Sequence, residues 1–123
     1  MITGTVDGSE AVVELTISGA GEQSARLPFV IDTGFNGFVT LPQETVDELG
    51  LLINGSSHGY LGDGSITHFP ICDAFVDWNG RSIPVRVEVA ETEPLLGMRL
   101  LHGHRLQIDV LPGGTVRIVE LPR

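Results

Sequence analysis

Asp32-Thr33-Gly34 occurs once in the chain, directly after the apolar run Leu27-Pro28-Phe29-Val30-Ile31. A hydrophobic strand that ends on an acidic residue delivers a carboxylate from a core into a turn. Such a carboxylate can take a proton from water. One route to amide hydrolysis pairs it with a second carboxyl. One must be ionised as the base, and one protonated to donate to the carbonyl. A single copy of the motif supplies half of that pair. If Asp32 is catalytic, two chains must meet at it.

Length and composition bound what can surround this motif. The 123 residues fit one domain. A domain of this size buries about two thirds of the surface its unfolded chain exposes, enough for one core and too little for two lobes. Hydrophobic residues make up 41%, with 16 Gly and 7 Pro, which describes a turn-rich globular chain and not a disordered one. Seven Lys and Arg stand against sixteen Asp and Glu, a net charge of −9. That balance argues against nucleic acid and anionic membranes as partners. It reads first as a solubility feature and favours basic peptides only weakly. Cys72 is the single cysteine, so no disulfide forms within the chain, and its apolar setting Phe69-Pro70-Ile71-Cys72 marks a small core residue. Met1 to Gly8 lacks a basic segment followed by an apolar one, and no run reaches membrane-spanning length. The expectation is a soluble, cytoplasmic protein.

The elements that would position Asp32 are short strands between turn residues. Thr3–Val6 and Ala11–Ile17 read as a hairpin across Asp7-Gly8, with Val13, Leu15 and Ile17 alternating with polar neighbours. Gly19 to Ser24 is a loop. Arg26–Ile31 is a strand apolar enough to be buried on both faces. Phe38–Leu41 is a further strand. A helix follows over Gln43–Leu49, with Pro42 at its first position and Gly50 as its stop. Leu51–Ile53 returns to extended structure. His58–Phe69 forms a second hairpin, in which Tyr60-Leu61 and Ser65-Ile66-Thr67 flank Gly62-Asp63-Gly64. Strands at Ile71–Val76 and Ile83–Val89 join through Asn79-Gly80. Leu95-Leu96-Gly97 is a short apolar strand, and Met98–His102 a short helix stopped by Gly103. Leu106–Leu111 and Thr115–Leu121 form the last hairpin across Pro112-Gly113-Gly114. The sum is one all-β domain over residues 1–123 with one or two short helices.

Three features stand in a particular order: a strand ending in Asp32-Thr33-Gly34, a Gly-rich hairpin around Gly62–Gly64, and Leu95-Leu96-Gly97 followed by a short helix and a strand. This order resembles the retropepsin-like aspartic peptidases, single-domain relatives of pepsin. It is similar above all to their compact bacterial members, which carry a helix between the catalytic loop and the flap. The resemblance runs from about Arg26 to the C-terminal hairpin. It implies a closed β-barrel of the acid-protease type holding half of a pepsin-like site, and an endopeptidase acting as a homodimer. Asp32, Thr33 and Gly34 would form the catalytic loop. The Thr33 hydroxyl would bond the opposite loop, and Gly34 would permit close approach. Tyr60, Gly62, Asp63 and Gly64 on the flap, with Phe35 and Leu96 on the floor, would contact a peptide or protein substrate. Neither metal nor organic cofactor is implied. The family pairs its terminal segments, so Met1–Gly4 and Thr115–Leu121 would be the interface strands. Phe35 departs from the small residue of the retroviral members and bears on catalytic efficiency.

Plainer readings stand beside these. Asp-Thr-Gly alone is a common turn sequence, Gly62-Asp63-Gly64 is a tight turn, and Leu95-Leu96-Gly97 is an ordinary core strand. His102 and His104 are two apart but lack a third metal ligand at a sensible spacing. His58 and His68 flank the hairpin and face each other across it. Asp63 and Asp109 lack a following Thr-Gly and are not second catalytic acids. Trp78 packs near the Asn79-Gly80 turn. The rival function is a weakly active or inactive module of the same fold that dimerises or binds peptides.

Overall fold

The alternation of Val13, Leu15 and Ile17 places all three on the inner face of strand β2 (Glu10–Ser18). The computed structural model describes residues 1–122. β2 pairs with β1 (Ile2–Asp7) on one side and β3 (Ser24–Ile31) on the other. Its far end also meets β6 (Ile66–Trp78) through Ile17 and Ser18. That contact closes the sheet. From β3 the order runs through β8 (Leu95–Leu96), β4 (Val39–Leu41), β7 (Arg81–Val89) and β6 back to β2. Two arms leave the ring. β5 (Gly55–Tyr60) extends from β6. β10 (Thr115–Glu120) and β9 (His104–Ile108) extend from β1.

The ring encloses the core. Ile17, Phe29, Val39, Leu41, Val76, Val87 and Leu96 are fully buried. Each large aliphatic or aromatic chain among them contributes about 1.5–3 kcal/mol by leaving water. β3 is less enclosed than its composition predicts: Phe29 is buried, Leu27, Val30 and Ile31 are half-buried, and Pro28 is exposed. The two helices are short: α1 (Gln43–Glu48) and α2 (Met98–Leu101).

Other departures from the sequence reading have local causes. Pro42 caps α1 from an extended conformation and is not its first helical residue. Leu51–Ile53 is not a strand. Gly50 takes φ +66, its N–H donates to the Asp47 carbonyl, and the Leu51 N–H donates to the Val46 carbonyl. These two bonds close the helix end in a Schellman arrangement and fix Leu51 there. β6 runs unbroken through Pro70, because only β5 pairs with it at that point and β7 joins from Ile71 onward. β9 stops at Ile108, since Gly113 has a positive φ and Asp109 to Gly114 forms a wider turn.

The terminal segments are also placed differently. β10 is enclosed between β1 and β9 and offers no free edge. Ile2–Thr5 is already paired with β10, and the Met1 amine donates to the Asn79 side chain at 2.8 Å. The outermost strands are β5 and β9.

Candidate active site

β8 is only two residues long, yet it separates the two ends of the loop that carries Asp32-Thr33-Gly34. It runs parallel to β3 through Val30–Leu95 and Ile31–Leu96, and antiparallel to β4 through Val39–Leu96. The chain therefore leaves β3 at Ile31, loops over the end of β8, and returns as β4 on the other side. Asp32 sits at the exit. Its N–H donates to the Leu96 carbonyl at 2.9 Å, and its own carbonyl accepts from the Phe35 N–H at 3.1 Å. The Gly34 N–H donates to Asp32 Oδ1 at 2.9 Å. A Cβ on Gly34 would lie 3.2 Å from that same oxygen, so glycine allows the close approach. Asp32 is half-buried and Thr33 exposed.

The loop is held from below by the start of α2. Gly97 N–H donates to the Phe38 carbonyl (2.9 Å), Met98 N–H to Phe35 (2.8 Å) and Arg99 N–H to Gly37 (3.1 Å). A side chain on Gly97 would run into the carbonyls of Gly37 and Phe35 and into the Phe35 ring. The ring of Phe35 lies against both Gly37 and Gly97. The bulk at position 35 is thus taken up by two neighbours that have no side chains.

A cleft of about 960 Å³ opens beside the loop. Its walls are the loop from Gly34 to Phe38, Ser57 to Tyr60 of β5, the outer faces of β6 and β7, and Arg99. Of the residues expected at a substrate site, Phe35 and Tyr60 line this cleft. Gly62, Asp63 and Gly64 lie at the exposed hairpin tip, beyond its walls. There the Ser65 hydroxyl and N–H both donate to Asp63 Oδ1, and these bonds hold the Asp63 carboxyl below its usual range. Only Gly64 of the two tip glycines uses a positive φ. Leu96 is fully buried and holds the loop from within the core, so it does not form cleft floor. On the far side of the loop, Thr33 and Ile31 share a smaller groove with Ala11, Ile108 and Val110.

Sequence reasoning missed the charged wall of the cleft: Asp73, Arg86, Glu88 and Arg99. The alternation of Pro84, Arg86 and Glu88 with Val85, Val87 and Val89 was a usable signal for an outward face. Nothing local says that this face turns into a cleft. Burial pushes the Glu88 carboxyl above its usual range, and Arg86 opposes the shift. Burial likewise pushes the Cys72 thiol up, with Asp73 adding to it, which suits an inert core thiol. His58 and His68 are directly opposed across β5 and β6, with ring centroids 6.0 Å apart. His104 has both ring nitrogens engaged. Trp78 Nε1 donates to its Nε2 at 3.2 Å, and its Nδ1 lies 2.9 Å from the His102 carbonyl.

No family model matches the sequence, and no curated protein matches it. Among solved structures, the chain is similar to the EIAV protease complexed with the inhibitor HBY-793. The two share 19% identity, with 73% of this chain and 83% of that chain covered and a TM-score of 0.54. That likeness is one of fold: this chain has an all-β, retropepsin-like fold. No helix among the described residues is long and apolar enough to cross a membrane.

Proposed function

We propose that the protein is an aspartic endopeptidase that works as a homodimer, with Asp32 of each chain holding one water between two carboxylates. The observation that carries this reading is the loop itself. A lone Asp-Thr-Gly leaves strand β3 with its Asp32 N–H bonded to Leu96, its loop is tied at Phe38 to Gly97, and through Gly34 it borders the cleft on a retropepsin-like fold. One Asp32 takes a proton from the water while the other donates to the scissile carbonyl. Hydrolysis then passes through a tetrahedral intermediate with no covalent acyl-enzyme. The peptide lies extended between β5 and the loop, where edge strand β5 can add strand-like hydrogen bonds. The β5–β6 hairpin, including its Gly62–Gly64 tip, acts as a flap.

The dimer needs a face that brings the two loops together. Thr33 is exposed on the side away from the cleft, beside Ile108 and Val110. Asp109 N–H bonds the Thr115 carbonyl, and Leu121 N–H bonds the Gly103 carbonyl. By antiparallel alternation, the peptide groups of Leu106 and Ile108 then point outward from β9. Val110 and Leu111 are exposed at 73% and 59%. An unpaired strand edge with apolar residues next to half a catalytic site suits a second copy of the same chain.

The test is cleavage of an unfolded protein by wild type and Asp32→Asn from strongly acid to neutral pH. Wild type should show a bell on the acid side of neutrality, because the pair works only while it shares one proton. Asp32→Asn should lose turnover altogether. Equal cleavage by both proteins, or no cleavage by a dimeric wild type at any pH, would move the reading to a peptide-binding module.

A further inference from the structure

We propose that Glu88 selects a cationic side chain, lysine or arginine, in the peptide that occupies the cleft; this rests on the peptidase reading above. Glu88 belongs to the outward face of β7, while Val85, Val87 and Val89 fill the core. Its parallel neighbour on β4 is Thr40, and that register sets it beside the end of the catalytic loop. Glu88 Oε2 occupies the space that a side chain on Gly37 would need. The carboxylate is thus held against loop backbone inside the cleft.

This carboxylate is half-buried and has no ion pair among the described residues, whose ion pairs are Arg26–Glu14 and Arg81–Glu120. Neither of the cleft's two arginines forms an ion pair with Glu88. Arg99 lies over the Phe38 ring, 5.6 Å from its centroid. Arg86 is exposed and stands across from Asp73 on β6. The remaining titratable groups of the cleft are His58 and Tyr60 on β5, and Asp73, whose carboxylate accepts from Asn54 at 2.7 Å. Glu88 is therefore the acidic group of the cleft that lacks an ion pair or hydrogen bond among the described residues, with Arg86 acting on it only from a distance.

Drawing a carboxylate part-way out of water without a partner is unfavourable. Burial accordingly pushes the Glu88 carboxyl up, and Arg86 offsets this only in part. An incoming ammonium or guanidinium supplies the missing partner. A neutral side chain only strips more water from the charge, and an acidic one is repelled. The selection is made by rejection as well as attraction.

Otherwise identical peptides carrying Lys, Gln or Glu at each position flanking the scissile bond provide the test. At one position, wild type should show kcat/KM about tenfold or more higher for Lys than for Gln, and lowest for Glu. Glu88→Gln should collapse the Lys-to-Gln ratio, and Glu88→Lys should turn the preference towards Glu. The wild-type ratio should shrink in acid, as protonation removes the charge. A wild type that cleaves without preferring Lys at any position, or Glu88→Gln that keeps the full ratio, overturns the inference and leaves the peptidase reading intact. If wild type cleaves none of the peptides, that reading fails, and fluorescence anisotropy of the same Lys and Gln peptides decides. Tighter Lys binding that is lost in Glu88→Gln sustains the cationic site; equal binding overturns it.

Discussion

Asp32 is fixed at both ends of its own residue: the N–H by Leu96 and the side-chain oxygen by Gly34. An amide keeps that acceptor oxygen. Asp32→Asn should therefore fold with unchanged circular dichroism while losing turnover, which separates chemistry from structure. Glu88 yields a second residue-scale prediction that does not depend on activity. Its carboxyl is raised by burial, so the folded state favours the protonated form more than the unfolded state does. At neutral pH the wild type carries the unfavourable charge. As pH falls through the raised value, that penalty disappears. Glu88→Gln should show a higher Tm than wild type at neutral pH, and the gap should close in acid. A gap that persists in acid would mean that the substitution acts through packing and not through charge. Asp32 was legible in the sequence because its strand and turn are contiguous with it. Glu88 was not, because its environment is made by Gly37 and β4, far away in sequence.

At the scale of elements, the loop depends on Gly97 beneath it as well as on its own residues. A methyl group there meets backbone carbonyls that have little room to yield. Gly97→Ala should destabilise the fold by about 1–3 kcal/mol in denaturant unfolding, and should disturb the loop amide signals in NMR spectra. A neutral Gly97→Ala would mean that the support beneath the loop is soft. The β5–β6 hairpin is the complementary case. β5 is an edge strand, and Tyr60, Leu61 and Ile66 near the tip are exposed. Its amides should exchange faster than those of β2 and β3, and should slow when a peptide-like inhibitor binds. Equal protection with and without the inhibitor would rule out a flap. Local signals found the Asn79-Gly80 turn, where both residues take positive φ, and the stop at Gly50. They could not find β8 lodged between β3 and β4, nor the closure of β2 on β6. Those pairings join segments distant in sequence, and no local periodicity encodes them.

For the whole molecule, the all-β class and the order of strand, hairpin and Leu-Leu-Gly were legible from the chain. The identity of the unpaired sheet edges was not. Terminal strands were expected to be free, but β10 is enclosed and the outward edges belong to β5 and β9. Partner choice for an edge depends on the full strand order, which emerges only once the sheet has closed. Val110 is exposed in the single chain, so Val110→Glu should leave the monomer folded. On the proposed face it should weaken the dimer about tenfold or more in sedimentation, with activity falling in step. A dimer unaffected by Val110→Glu would place the contact elsewhere. The claim that two chains complete one site is tested most directly by calorimetric titration with a hydroxyl-containing peptide isostere that mimics the tetrahedral intermediate. The account predicts one inhibitor bound for every two chains, and loss of that binding in Asp32→Asn. One inhibitor per chain, or equal binding by Asp32→Asn, would contradict it.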